Sequence, residues 1–153
     1  MPDVTIRRAG ADDALVVAAL HLQSARDLGH DGEPGFLDRF ADAWLASRPD
    51  HPTWIAQSHG AHAGVLSTRR LRPLPFPGRP EVSWLYVGTI FVASGHRKRG
   101  IGRALIEGML DWSRATDVKW VRLNVEASQH DFYRSLGFTL AETILEYDLR
   151  ESR

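Results

Sequence analysis

The sequence predicts one mixed α/β domain of the α+β type, spanning residues 1–153, and three observations carry that prediction. Alternating apolar and polar residues, as in 4–9 and 118–125, have the period of half-buried strands. Apolar residues at three- and four-residue spacing, as in 36–45 and 101–112, have the period of amphipathic helices. The elements run strand, two helices, three strands, helix, strand, helix, strand, which implies a sheet whose N-terminal half is mostly antiparallel.

Composition narrows the function classes. Hydrophobic residues make up 43% and charged residues 25% of the 153, an ordinary balance for a globular domain with a substantial core. Lys+Arg and Asp+Glu both total 19 and cancel, so bulk charge does not draw the chain to nucleic acid, and any anion site is a local concentration of charge. The chain has no cysteine, which excludes disulfides, thiolate metal sites and an acyl-cysteine intermediate. Its seven histidines, among them His51, His59, His62, His96 and His130, have no ligand spacing, so no metal is expected. No apolar run approaches the roughly 18 residues of a membrane span. Residues 1–5 lack a charged-then-apolar leader pattern. A cytoplasmic protein that engages neither membrane nor nucleic acid is therefore expected.

The elements follow in order. Residues 4–9 are the first strand, broken by Gly10. Asp12 or Asp13 caps a helix whose apolar stripe is Leu15, Val16, Ala19, Leu20 and Leu22. Residues 29–35 are loop chemistry throughout, and Phe36, Leu37, Phe40, Ala41, Trp44 and Leu45 mark a second helix ending before Pro49. Residues 53–57 and 61–68 flank Ser58-His59-Gly60 as an antiparallel hairpin. The stretch 69–80 carries Pro73, Pro75, Pro77 and Pro80, which forbid regular structure and stiffen a surface loop. The central strand is 81–92, with Gly88 as a bulge site. Ile101, Leu105, Met109 and Trp112 line one face of the next helix, and 118–125 is a fifth strand. A short helix from Ser128 or Asp131 carries Phe132, Tyr133 and Leu136, and Gly137 stops it. Residues 138–140 and 142–149 supply one or two final strands, which makes six or seven strands and about four helices.

The segment joining the central strand to the third helix, Gly95-His96-Arg97-Lys98-Arg99-Gly100-Ile101-Gly102-Arg103, carries the chemistry. Unpaired amides and the positive end of the helix dipole bind anions at such a place, phosphates above all. Gly100 and Gly102 let oxygens approach the main chain closely. Arg97, Lys98, Arg99 and Arg103 add positive charge. Two familiar phosphate loops are excluded by spacing. Ile101 stands where a P-loop requires Lys, and Ala104-Leu105 stands where a dinucleotide fingerprint continues.

What does fit is Arg97-x-x-Gly100-x-Gly102 between a strand and a helix, which resembles motif A of the GCN5-related N-acetyltransferases, the GNAT superfamily. Downstream, Phe132-Tyr133-Arg134-Ser135-Leu136-Gly137-Phe138 resembles that family's motif B. The resemblance covers nearly the whole chain in element order. It implies the GNAT fold and acetyl-CoA as co-substrate, its pyrophosphate held by Arg97, Lys98, Arg99, Gly100, Ile101, Gly102 and Arg103. It further implies that the central strand splays from the fifth. The main chain of Ile90, Phe91 and Val92 would then pair with the pantetheine and polarise the thioester. Tyr133 is implied as the acid for the departing thiolate, a role its ordinary pKa of about 10 allows at neutral pH. The family's Asn, seven residues before the Tyr, is replaced here by Glu126, and Asn124 on the strand is the nearest equivalent for a coenzyme contact.

An amine of lysine-like pKa, about 10.4, is protonated at neutral pH and needs its proton removed. Glu81 is the first candidate base, followed by Glu126 and Asp131. The expected reaction is acetyl transfer to a primary amine by direct attack in a ternary complex, with a small molecule or a protein amine as acceptor. Trp44, Trp54, Trp84 and Tyr86 are candidates for apolar walls of its site. The alternative is a non-catalytic acyl-CoA-binding or regulatory module. The resemblance is also compatible with a homodimer.

Overall fold

The computed structural model describes residues 3–150. Five strands form one sheet in the order β1-β2-β3-β4-β5: β1 (Val4–Arg8), β2 (Thr53–Ser58), β3 (Ala61–Leu71), β4 (Ser83–Val92) and β5 (Val118–Arg122). The first three pairings are antiparallel and β4–β5 is parallel. The parallel pair is joined by α3 (Ile101–Arg114), since such strands need a crossover. Helices α1 (Ala14–Asp27) and α2 (Phe36–Ala46) cover the other face, and α4 (His130–Ser135) follows β5. The α/β class is as expected.

Strand alternation divides the core in two. Trp54, Ala56, Leu66 and Leu85 face α3 and bury Ile101, Leu105, Ile106 and Met109. Ile55, Val65 and Phe91 face α1 and α2, with Val17, Leu20, Ala41 and Trp44. Trp54 meets Trp112 of α3 edge-on at 5.5 Å. At Gly64 an added Cβ would lie 2.7 Å from the Phe91 carbonyl oxygen, so β3 approaches β4 there only because the residue is glycine. On α1, His21 donates from Nδ1 to the Val17 carbonyl at 2.8 Å, and its Nε2 lies 3.0 Å from Ser67 Oγ on β3. Burial pushes its pKa down, so the neutral ring accepts from the serine.

Three expectations need correction. The buried face of α1 is Ala14, Val17, Ala18 and Leu20, which shares only Leu20 with the proposed stripe; Leu15 is 58% exposed. Small residues on that face let α1 sit close to the sheet, a preference a hydrophobicity count misses. The sheet has five strands among the described residues, not six or seven, because residues 138–149 form no ladder. Finally, β5 ends at Arg122 rather than at 125, where it parts from β4.

Candidate functional site

The central strand is paired on both sides over only part of its length. β4 meets β5 at Ser83↔Val118, Trp84↔Trp120, Leu85↔Val121 and Tyr86↔Arg122, and there the parallel ladder stops. It continues along β3 as far as Gly64↔Val92. From residue 87 to 92 the β5 side of β4 is therefore open, main-chain groups included. A bulge accompanies the opening: Ser67 pairs with Thr89 and Thr68 with Val87, so Gly88 is the extra residue.

The open stretch leads directly into the glycine loop. A 3₁₀ turn at Ser94–His96 follows β4, Lys98 takes a left-handed φ of 62° and Gly100 one of 77°, and α3 begins at Ile101. The first bond of the helix runs from the Ala104 amide to the Gly100 carbonyl at 3.0 Å. The amides of Ile101, Gly102 and Arg103 precede it and point out of the helix start. A cavity of about 250 Å³ lies over them, lined by Val92, His96, Arg97, Lys98, Gly100, Ile101, Gly102, Arg103 and Phe132. No carboxylate lines it. An added Cβ at Gly102 would meet only Val92 Cγ2, at 3.9 Å. Packing does not require glycine there.

The four cations of the loop are not equivalent. Arg97 donates to Asp27 Oδ2 at 2.7 Å and to the Val92 carbonyl at 3.0 Å, tying the end of β4 to the end of α1. Arg103 donates to Ser135 Oγ at 2.9 Å and lies over the Phe132 ring at 5.8 Å, tying α3 to α4. Arg99 reaches back to His96 Nδ1 at 3.4 Å and does not line the cavity. Lys98 lines it and is exposed.

A family model described as the acetyltransferase (GNAT) family matches residues 18–138. The chain belongs to the GNAT family. Among curated relatives, it is 33% identical over 111 residues to the tRNA(Met) cytidine acetyltransferase TmcA of Pectobacterium atrosepticum, covering 71% of this chain and 14% of that one. It is 31% identical over 121 residues to N-alpha-acetyltransferase 80 of Mus musculus, covering 70% of this chain and 38% of that one. These matches thus span well under half of either relative's length. Among solved structures, a predicted acetyltransferase with acetyl-CoA from Clostridium acetobutylicum superposes with a TM-score of 0.76 at 14% identity, over 97% of both chains. The fold is the GNAT fold.

In this GNAT domain, Tyr133 sits on α4 at 8% exposure, edge-on to Phe132 at 5.1 Å and to Phe138 at 5.6 Å. The chain is held at that turn by the amides of Leu136 and Phe138, which both donate to the Tyr133 carbonyl, while Gly137 takes a φ of 99°. Burial raises the phenol pKa, which keeps the hydroxyl protonated well above neutral pH. Ile90 and Val92 pack toward the α3 core and Phe91 toward α1 and α2, so their main chains run along the open edge.

Other expected residues lie elsewhere. Glu81 precedes the far end of β4, and at about 3.3 Å per residue it is roughly 30 Å along the strand from Ile90. The structure does not bring it to the loop. Asn124 is exposed beyond β5. Trp44 and Trp54 are core residues at 5% and 2% exposure. Trp84 and Tyr86 are half-buried where the ladder ends. Sequence reasoning missed Arg122, whose guanidinium stacks 5.0 Å from both the Trp84 and Trp120 rings at the foot of the opening. The alternation Trp120-x-Arg122 was the available signal. Among the described residues, no helix is long and apolar enough to cross a membrane, and no cluster of metal-ligating side chains occurs.

Proposed function

We propose that this domain transfers the acetyl group of acetyl-CoA to a primary amine by direct attack in a ternary complex. The observation that carries the proposal is the open edge of β4 over residues 87–92, ending at a helix start with three outward amides. The amides of Ile101, Gly102 and Arg103, with Lys98 and Arg103, bind the pyrophosphate through charge-assisted hydrogen bonds. Arg97, engaged by Asp27 and the Val92 carbonyl, fixes the loop on which those amides sit.

The pantetheine lies along Ile90, Phe91 and Val92 as an added strand, and one of their amides polarises the thioester carbonyl. The amine nitrogen attacks that carbon, the tetrahedral centre collapses, and the C–S bond breaks. Tyr133 donates its proton to the thiolate and recovers one from solvent. The proton lost by the amine passes to water. An amine acceptor is supported by the N-acetyltransferase names carried by relatives.

The test is release of free CoA thiol from acetyl-CoA across a panel of polyamines, amino acids, aminoglycosides and peptide N-termini, with a no-acceptor control. Acceptor-dependent release supports the proposal. Failure of acetyl-CoA to bind by calorimetry refutes it. Binding without turnover on any acceptor points instead to a non-catalytic acyl-CoA-binding module.

A further inference from the structure

The sheet face on the α1 and α2 side carries a row of side chains that the transfer chemistry above does not use. Leu85 and Val121 are paired across β4 and β5 and pack on the α3 core. Their strand neighbours Trp84, Tyr86, Trp120 and Arg122 therefore project from the opposite face. Arg69 stands on that face too, because it is paired with Tyr86 from the β3 side. One row thus runs Arg69, Tyr86, Arg122 across three strands. With strands about 4.8 Å apart, the two arginine backbones stand roughly 10 Å apart with the tyrosine between them.

Helices α1 and α2 cover this face at Ile55, Val65 and Phe91, whereas in the row Arg69 is exposed and Tyr86 and Arg122 are half-buried. Among the described residues neither arginine has an ion-pair or hydrogen-bonding partner. Arg122 is held by rings instead: its guanidinium lies 5.0 Å from both Trp84 and Trp120, which pack on each other at 6.5 Å. Lys119 Nζ adds charge 5.5 Å from the Trp120 ring. A guanidinium braced in this way has its rotamer fixed and its N–H fork free before a ligand arrives. Cations gathered on one face without carboxylate partners attract an anion and repel a further cation.

The row sits at the closed end of the opening, since Tyr86↔Arg122 is the last rung between β4 and β5. With Gly88 bulged out, Tyr86 is about 10 Å along β4 from Ile90, at 3.3 Å per residue. An arginine side chain spans part of that distance, and a few carbons in a ligand span the rest.

We propose that the Arg69–Tyr86–Arg122 row binds an anionic group of the acceptor, so that the substrate is a primary amine bearing a carboxylate or phosphate a few carbons away. The inference rests on the acetyl-transfer reading and narrows it. The amine meets the thioester beside Ile90 while the anion accepts from the arginine forks, a match that suits carboxylate and phosphate alike. Polyamines and aminoglycosides, whose additional charges are positive, are disfavoured.

The test compares acceptors that differ only in the anion. Straight-chain amino carboxylates from glycine to 6-aminohexanoate are each assayed against their own amides, phosphoethanolamine against ethanolamine, and spermidine alongside. At the best chain length the acid is expected to exceed its amide by about 10- to 100-fold in kcat/KM, mostly through KM. The phosphoethanolamine pair reads whether phosphate serves as well as carboxylate. Arg122→Gln and the exposed Arg69→Gln are each expected to collapse the preference, and Arg122→Lys to keep part of it, with circular dichroism as the folding control. Equal rates for every acid and amide overturn the inference, as does a preference for spermidine or one that survives both glutamine variants. A second readout needs no turnover: the indole N–H signals of Trp84 and Trp120 are followed by NMR as each carboxylate is added to the CoA-loaded protein. Shifts lost in Arg122→Gln support the anion site even where no acceptor is acetylated, a result that would count against the transfer reading alone. Indole signals that no anionic amine moves overturn the inference even where acetyl transfer is observed.

Discussion

Replacing Gly102 by Ala separates a ligand's need for glycine from the fold's need. The new Cβ would have one neighbour, Val92 Cγ2 at 3.9 Å, an ordinary van der Waals contact. The residue lies in the first turn of α3, where exchanging Gly for Ala gains up to about 1 kcal/mol of helix propensity. The melting temperature should therefore hold or rise by about 2–4 °C, the shift expected per kcal/mol for a domain of this size. The same Cβ enters the loop cavity beside the outward amides. Losing one charge-assisted hydrogen bond to a phosphate costs about 1.5–3 kcal/mol, or roughly a 10- to 150-fold rise in Kd for acetyl-CoA. Calorimetric titration and a thermal melt on the same preparation read both quantities. Unchanged affinity would refute the placement of the pyrophosphate over these amides. Weaker binding that merely tracked a fall in melting temperature would show the glycine to be structural after all.

Tyr133→Phe should lower kcat by about 10²–10⁴-fold, the usual contribution of a positioned acid. Burial alone, with no hydrogen bond, shifts the hydroxyl's pKa, so stability and acetyl-CoA affinity should hardly move, and undiminished turnover would remove the tyrosine from the mechanism. Because burial raises that phenol's pKa, any alkaline loss of kcat that depends on Tyr133 should begin above the ordinary tyrosine value of about 10. Asp27→Asn removes the carboxylate partner of the Arg97 that fixes the loop; an exposed pair of this kind is worth at most about 1 kcal/mol, so acetyl-CoA should bind up to about fivefold less tightly in titration at low salt. Asp117 accepts from Ser83 at 2.6 Å and pairs with Arg70 and Arg72, which hold its carboxyl far below the usual range. Its contribution is complete above the unfolded value of about 3.9 and lost as pH falls toward the folded one, so melts of wild type and Asp117→Asn should differ by about 1 kcal/mol at neutral pH and converge in strong acid.

The geometry around the glycine loop was legible because it is one uninterrupted piece of chain. Open strand, glycine turn and helix start all lie between residues 87 and 103, and their geometry follows from local rules on left-handed glycine and unpaired first-turn amides. Gly88 could be read as a bulge for the same reason. The terminal strands were misread because alternation in 142–149 reports a strand's two faces and not which edge receives it. Likewise the stripe proposed for α1 ranked residues by hydrophobicity, whereas the sheet selected the small face bearing Ala14 and Ala18.

Arg97 marks where local reading ends. Its spacing from the two glycines labels it an anion ligand, yet its guanidinium is engaged by Asp27, 70 residues earlier, and by the carbonyl that closes β4. No pattern near Arg97 announces Asp27, which is one of several acidic residues on an ordinary helix. The pairing nevertheless has a chemical consequence, because it joins the end of α1, and the exposed loop that follows, to the last residue of the strand along which the coenzyme is proposed to lie. A phosphate that drew Arg97 away would release the α1 end at the moment the donor site filled. Under the proposed function, the acceptor would then meet a wall whose position depends on the coenzyme.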